Sequence, residues 1–416
     1  MAGIARAGSA QEFPMAITPL HSRAPLYWLA LGSFAVGTES FMIAAILPDI
    51  AADLSVSEQA AGHLVSVFAL TYAASSPLLT VLTGAVSRRL LLIATMLAFV
   101  VANIVAAVAG SYGGLMAARV LLAMAAGLFV PNANALAGML VPPSERGRAL
   151  SIVTSGLSLA IVFGVPLGAV VGHTLGWRMT FGGVAVLSVV AAAGLLVGLP
   201  RAIGSAAPVV GLRERLGALA NPAVRRPLAV TTLWAMGPFT VYPYIASYLH
   251  RVTGLEGAAV GFALFAWGLS AFIGLAVGGR LTDRLGGARI VALTLPLVVL
   301  ALASLSLTAE LLPPALALIP AFVAIMLWGF SAWAFYPGQQ ARLIGITGPK
   351  HAPIILSVNA SFHYFGFSVG AALGSLVLSV ASVRELGWVG ALCVALACLL
   401  EFAPSKAPRL ADAPAE

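Results

Sequence analysis

Long apolar runs alternate with short polar breaks along almost the whole chain. The runs lie at roughly 26–48, 60–83, 90–110, 113–140, 150–172, 178–199, 227–249, 258–279, 289–309, 314–338, 353–380 and 386–403. Each is close to the about 20 residues that an α-helix needs to cross a bilayer, whereas barrel strands would show about ten residues of alternating hydrophobicity. The pattern predicts an all-α integral membrane protein with twelve transmembrane helices. Most breaks are short, but 200–226 holds Gly204, Ser205, Pro208, Gly211, Asn221 and Pro222, which interrupt any periodic pattern. It divides the chain into a leader (1–25), an N-terminal six-helix half (26–199), a linker (200–226), a C-terminal six-helix half (227–403) and a tail (404–416).

Composition supports the same class, with 60% of residues hydrophobic, 9% charged and a mean hydropathy of +1.01. A water-soluble globule of that composition would lack polar cover. The formal charge of +8 comes from 20 Arg and 2 Lys that fall singly or in pairs between apolar runs. That placement is a topology signal rather than a nucleic-acid footprint. With the N-terminus inside, 18 of the 22 basic residues lie on the cytoplasmic side, leaving Arg119, Arg178, Arg251 and Arg384 in runs or outer loops. Both termini are therefore expected in the cytoplasm of a bacterial-type inner membrane. No cleavage site follows an apolar region near the start, so no cleaved signal peptide is expected, and Met15 is an alternative start. Cys393 and Cys398, both in the last run, read as small hydrophobes rather than a disulfide or zinc pair.

Of the 14 acids, 13 fall in loops, tails or run ends, and Glu39 alone lies deep in an apolar run. A carboxylate there is costly and marks function by default. At 1.5 Å per residue Glu39 is about 13 Å from Pro48 at the outer end of its run, and Arg119 is about 9 Å from Gly113 at the outer end of the fourth. The two are expected to meet in the outer half of the bundle. Burial disfavours the charged carboxylate while a nearby guanidinium favours it, so movement of Arg119 would switch proton binding at Glu39. The alternative is a static pair joining two helices.

Other polar groups in the runs each carry two readings. His63 and His363 are candidates to touch substrate or a proton, or to hydrogen-bond a neighbouring helix. Asn132, Asn134, Gln339 and Asn359 offer cavity donors and acceptors without a charge penalty, or act as interhelical glue. Trp234 and Tyr242 belong to an aromatic set, with Phe239, Tyr244, Tyr248, Trp267, Trp328, Trp333 and Tyr336, that either lines an apolar cavity or anchors helix ends at the membrane interface. One deep acid points to neutral or weakly charged amphiphiles over polycations. No G-x-x-x-x-G-K-[ST] motif, metal-ligand spacing or nucleophile with a base occurs, so no enzyme, metal or cofactor is expected and the energy source is a gradient. One proton moving down 100 mV contributes about 2.3 kcal/mol, enough for a tens-fold substrate gradient.

Several motifs carry a family likeness. Gly156-x7-Gly164-Val165-Pro166-Leu167-Gly168-x3-Gly172 is similar to the antiporter motif of drug:proton exporters; its glycines make a smooth packing face and Pro166 bends the span. Gly278-Gly279-Arg280-Leu281-Thr282-Asp283-Arg284-Leu285-Gly286 resembles a cytoplasmic loop motif, in which Asp283 facing basic residues is expected to latch helices. The matching first-half loop, Gly84 to Arg89, lacks the acid. Arg119-x7-Gly127, the turn Pro142 to Arg148, Trp328-Gly329, Pro337 to Arg342 and Asn359-Ala360-Ser361 continue the likeness. From about residue 25 to 403 the chain resembles the major facilitator superfamily, in its twelve-span drug:proton antiporter branch, and within that the arabinose-efflux-type permeases. The resemblance implies a monomer that exports a small molecule, such as a drug or sugar, in exchange for protons by alternating access. An importer or uniporter on the same scaffold, or a non-transporting membrane sensor, are the other readings.

Overall fold

The computed structural model describes residues 23–200, 211–348 and 351–404, and within them the chain is helical throughout. The first half contains α1 (Ala24–Asp53), α2 (Glu58–Leu82), α3 (Arg88–Ala107) and α4 (Tyr112–Met139). There follow α5 (Arg146–Leu159) and α6 (Val165–Leu175), joined by a π-helical turn Ala160–Gly164, and then α7 (Trp177–Gly198). A short α8 (Leu212–Ala218) leads into α9 (Pro222–Val241) and α10 (Ile245–Thr253), joined by a 3-10 turn Tyr242–Tyr244. The chain closes with α11 (Ala258–Leu285), α12 (Gly287–Leu311), α13 (Pro314–Thr347), α14 (Ala352–Val380) and α15 (Leu386–Phe402).

Taking α5–α6 and α9–α10 as one rod each, six rods precede α8 and six follow it, as the apolar runs predict. Ten of the rods are long and apolar enough to cross a membrane. The other two are α9–α10, broken at Pro243, and α15, which has 17 residues. Several run ends differ from expectation, among them α1, which continues through Pro48 to Asp53, α13, which continues through Pro337 to Thr347, and α11, which continues to Leu285. A proline forfeits one backbone hydrogen bond, but ending a helix in an apolar medium would strand several, so the helix carries the proline. The leader residues Arg6 and Met15, linker residues Arg201, Gly204, Ser205 and Pro208, and Lys350, Lys406 and Arg409 lie outside the described residues.

The outer surface is apolar along helical stripes, such as Val186, Val189, Val190 and Val197 on α7, and Leu392, Leu396 and Leu399 on α15. Water would not tolerate that exposed area, and lipid chains do. Arginines crowd one end of the bundle, at Arg88–Arg89, Arg146, Arg148, Arg225–Arg226, Arg280, Arg284, Arg289 and Arg342; the opposite end has Arg178, Arg251 and Arg384.

Glycine contacts set how closely the rods approach. Gly156, Gly164, Gly168 and Gly172 face Ala30, Thr38, Met42 and Ile46 of α1, the two sets advancing together by eight, four and four residues. Parallel helices in step at that spacing have no room for a Cβ on one side. The same device recurs where Gly366, Gly370 and Gly374 of α14 meet Thr232, Met236 and Thr240 of α9, and where Gly274 and Gly278 of α11 meet Phe330 and Ala334 of α13. The first of these seams places Glu39, the neighbour of Thr38, near the middle of the 30-residue α1.

Candidate functional site

The centre of the first half is a buried ion pair. Glu39 and Arg119, both 0% exposed, meet through Arg119 Nη1, which donates to Glu39 Oε1. Arg119 Nε also donates to the Leu64 carbonyl at 3.2 Å, and the guanidinium sits 4.1 Å over the centre of the Phe68 ring. Both contacts come from α2, so the pair ties α1, α2 and α4 at one point. Glu39 Oε2 and Arg119 Nη2 are buried without a hydrogen-bond partner among the described residues. Glu39 lies at mid-helix of α1, which runs on past Pro48, and Arg119 lies in the first quarter or so of α4.

The two halves also enclose a small aromatic cavity of about 30 Å³, enough space for water but not for an organic molecule in this conformation. Phe41, two residues beyond Glu39, is the first half's contribution to its wall. The second half supplies the rest: Trp234 and Phe239 from α9, Tyr242 from the 3-10 turn, Trp267 from α11, Trp328, Trp333 and Tyr336 from α13, and His363 and Phe367 from α14. The Tyr242 hydroxyl donates to the Phe41 carbonyl at 2.9 Å, which links the cavity to α1 two residues from the ion pair. Tyr242 keeps the course of α9, its N–H donating to the Pro238 carbonyl, and the ladder breaks just after it at Pro243, which has no N–H.

Hydrogen bonds between the halves cluster at mid-depth and toward the arginine-poor end. Gln59 Nε2 donates to the Leu378 carbonyl at 2.7 Å, Ser375 Oγ to the Gln59 carbonyl at 2.9 Å and Ser368 Oγ to the Ser66 carbonyl at 2.8 Å. Arg251 pairs with Glu58 at 2.8 Å, and Tyr72 stacks on Tyr364 with ring centres 3.7 Å apart. Toward the arginine-rich end, Arg215 of the linker helix α8 donates to Ser357 of α14, and among the described residues no hydrogen bond joins the two halves themselves there. This conformation is thus sealed at the arginine-poor end.

The Major Facilitator Superfamily description matches residues 29–352. The chain belongs to that superfamily. Among curated relatives, a chloramphenicol resistance protein of Streptomyces lividans is 34% identical over 399 residues, covering 94% of this chain and 98% of its own. The uncharacterized MFS-type transporter YbcL of Bacillus subtilis is 33% identical over 374 residues, covering 90% and 94%. The inner membrane transport protein YdhP of Escherichia coli K12 is 33% identical over 388 residues, covering 92% and 96%. A solved bacterial homolog of the human lysosomal transporter Spinster, in an inward-facing and unoccupied conformation, superposes with a TM-score of 0.74 at 17% identity, covering 92% of this chain and 97% of that one. The human organic anion transporter MFSD10 does so with a TM-score of 0.68 at 17% identity, covering 91% and 99%. These two show the shared fold.

Within this superfamily fold the remaining candidate residues separate clearly. Trp234, Tyr242 and His363 line the cavity, whereas five others do not. His63 is exposed on α2, with Nε2 3.4 Å from Ser375 Oγ. Asn132 is turned to the helix ends, where its Oδ1 accepts from Arg88 Nη1 and its Nδ2 bonds the Leu128 carbonyl at 2.6 Å. It gives an acceptor to one nitrogen of a buried arginine, in the loop whose motif lacks the acid, while Arg88 Nε has no partner among the described residues. Asn134 bonds its own helix at Val130 and Thr154 of α5. Gln339 Nε2 donates to the Pro227 carbonyl at 2.6 Å and to Thr231 Oγ1 at 2.9 Å, and Thr231 donates to Asn359 Oδ1 at 2.8 Å, so both amides knit α9, α13 and α14 together. All four amides act between helices because a buried amide in apolar surroundings takes the nearest backbone or side-chain partner.

The loop motif also differs from expectation. Gly279 has open space at its Cβ, and Gly278, one residue earlier, makes the close approach to α13. Asp283 and Arg284 are exposed on the last turn of α11, and no ion pair among the described residues includes either, so no charge latch is formed in this conformation. Gly286 ends α11 at φ +83°, a backbone conformation that favours glycine, and lets α12 start at once. Phe41, Phe367 and the buried Arg88 were not singled out by sequence pattern. Only proximity of Phe41 to Glu39 carried any signal.

Proposed function

We propose that this chain is a proton-coupled exporter of a small organic molecule, of the twelve-span drug:proton antiporter branch and arabinose-efflux type, acting as a monomer with its arginine-rich end in the cytoplasm. The observation that carries the reading is the fully buried Glu39–Arg119 pair placed two residues from the wall of an aromatic cavity. Export in particular draws support from the relative named for chloramphenicol resistance.

In the reading offered here, Glu39 takes a proton on a carboxylate oxygen when the arginine-poor end is open. Protonation removes the charge that holds Arg119, and α1 carries the change to Phe41 and so to Tyr242 in the cavity wall. Sealing of the arginine-poor end then exposes the cavity to the cytoplasm, where substrate enters as the proton leaves. Arg119 re-pairs with the carboxylate and resets the site. The conformation described above corresponds to the sealed stage. The Gly156 to Gly172 seam would let α1 and α5–α6 move as one body, since a smooth close-packed face couples two helices rigidly.

The test is accumulation in inverted vesicles under an imposed pH gradient, screening organic compounds with chloramphenicol first. Gradient-driven uptake by the native chain that Glu39→Gln abolishes supports the proposal; gradient-independent equilibration of substrate would make the chain a uniporter.

A further inference from the structure

Residues of the cavity wall carry, besides their ring faces, buried hydrogen-bonding groups that lack a partner among the described residues. Trp234 is 5% exposed, Trp267 4% and His363 8%, and Trp234 Nε1, Trp267 Nε1 and His363 Nε2 each lack a hydrogen-bond partner among the described residues. All three residues line the same cavity. They come from three different helices, α9, α11 and α14, so their convergence is a property of the site and not of one helix face. An indole N–H only donates, and an imidazole nitrogen donates or accepts with its tautomer. A buried donor left unpaired is unfavourable, so the guest that fits this wall brings acceptors.

Charge narrows the guest further. No carboxylate, lysine or arginine lines the cavity, and the buried ions Glu39 and Arg119 are paired with each other. An anion would be buried without a counter-ion. A cation would gain the faces of Trp328, Trp333 and Tyr336 but leave both indole donors unsatisfied. A neutral planar molecule with carbonyl, amide or nitro oxygens satisfies rings and donors together. Its entry requires the rings to part, because the closed cavity holds about 30 Å³ and Phe239 stacks on Phe367 with centres 3.4 Å apart.

We propose that this cavity selects neutral aromatic molecules carrying hydrogen-bond acceptor oxygens, and that Trp234 and Trp267 are the residues that determine that selection through their indole N–H groups. The proposal rests on the transport reading above and specifies the substrate class for that same site.

The experiment measures binding of three probes to the purified full chain in detergent by quenching of indole fluorescence, with Trp328 and Trp333 remaining as reporters in each variant. The probes are benzophenone, its hydrocarbon isostere 1,1-diphenylethylene, and the cation benzyltrimethylammonium. The native chain is expected to bind the ketone about tenfold tighter than the hydrocarbon, and Trp267→Phe or Trp234→Phe to lower ketone affinity severalfold while leaving the hydrocarbon unchanged. Glu39→Gln is expected to keep the ketone preference while losing pH-driven transport, which separates failure of this inference from failure of the coupling scheme. Equal affinity for ketone and hydrocarbon, tightest binding of the cation, no quenching by any probe, or an undiminished preference in both tryptophan variants would overturn it. The native chain's comparison of ketone with hydrocarbon decides the matter even if a variant does not fold.

Discussion

Arg119 and Glu39 hold each other where neither has water. Removing one member of a buried pair leaves the other charge uncompensated, so Arg119→Ala is expected to lower stability by about 3–5 kcal/mol, read by chemical denaturation in detergent. The double change Glu39→Gln with Arg119→Gln removes both charges and is expected to recover part of that loss. Arg88 is a second buried cation, and Asn132 supplies the acceptor for its Nη1. Asn132→Ala is therefore expected to cost about 1–3 kcal/mol in the same assay, whereas His63→Ala, at an exposed position, should be near neutral. The ion pair was legible in the sequence because one deep acid and one deep arginine had few alternatives. The amides were not, since their partners are the Pro227 carbonyl, Thr231 and Arg88, which lie up to 128 positions away and carry no spacing signal.

At the scale of helices, glycine spacing decides which rods travel together. A Cβ on Gly156 would run into the Ala30 carbonyl, and one on Gly370 into the Met236 carbonyl, whereas Gly182 and Gly183 face open space. Gly156→Ala and Gly370→Ala are expected to lower the melting temperature by several degrees, and Gly183→Ala to leave it within about a degree, measured by thermal unfolding in detergent. The Gly156 to Gly172 seam was visible in advance because Pro166 made its pattern distinctive. The Gly366-Gly370-Gly374 seam has equally regular spacing but no such marker, and only the structure shows α9 lying against it. Helix number followed from the apolar runs, while helix ends did not, because Pro48 and Pro337 break helices in water but are carried within α1 and α13 here.

For the whole molecule, the two halves meet at mid-depth and at the arginine-poor end, through α2 on α14 and α6 with its π-helical turn on α11, and the proposed alternating access would part those seams. Arg251–Glu58 is the ion pair between the halves among the described residues and is partly exposed. An exposed pair contributes about 0–1 kcal/mol, so Glu58→Gln is expected to raise the fraction open at that end by at most about fivefold. Spin labels at Val56 and Ser382 would read it as growth of a longer-distance population. The fold class was plain from hydropathy alone, but which end is sealed depends on side-chain contacts between helices far apart in the chain. Coupling of that motion to a proton is the central claim, and the most direct test is pH-driven accumulation of an identified substrate in inverted vesicles, native chain against Glu39→Gln. The account predicts that Glu39→Gln loses gradient-driven accumulation while still exchanging substrate down its own gradient. Undiminished pH-driven accumulation by Glu39→Gln would contradict it.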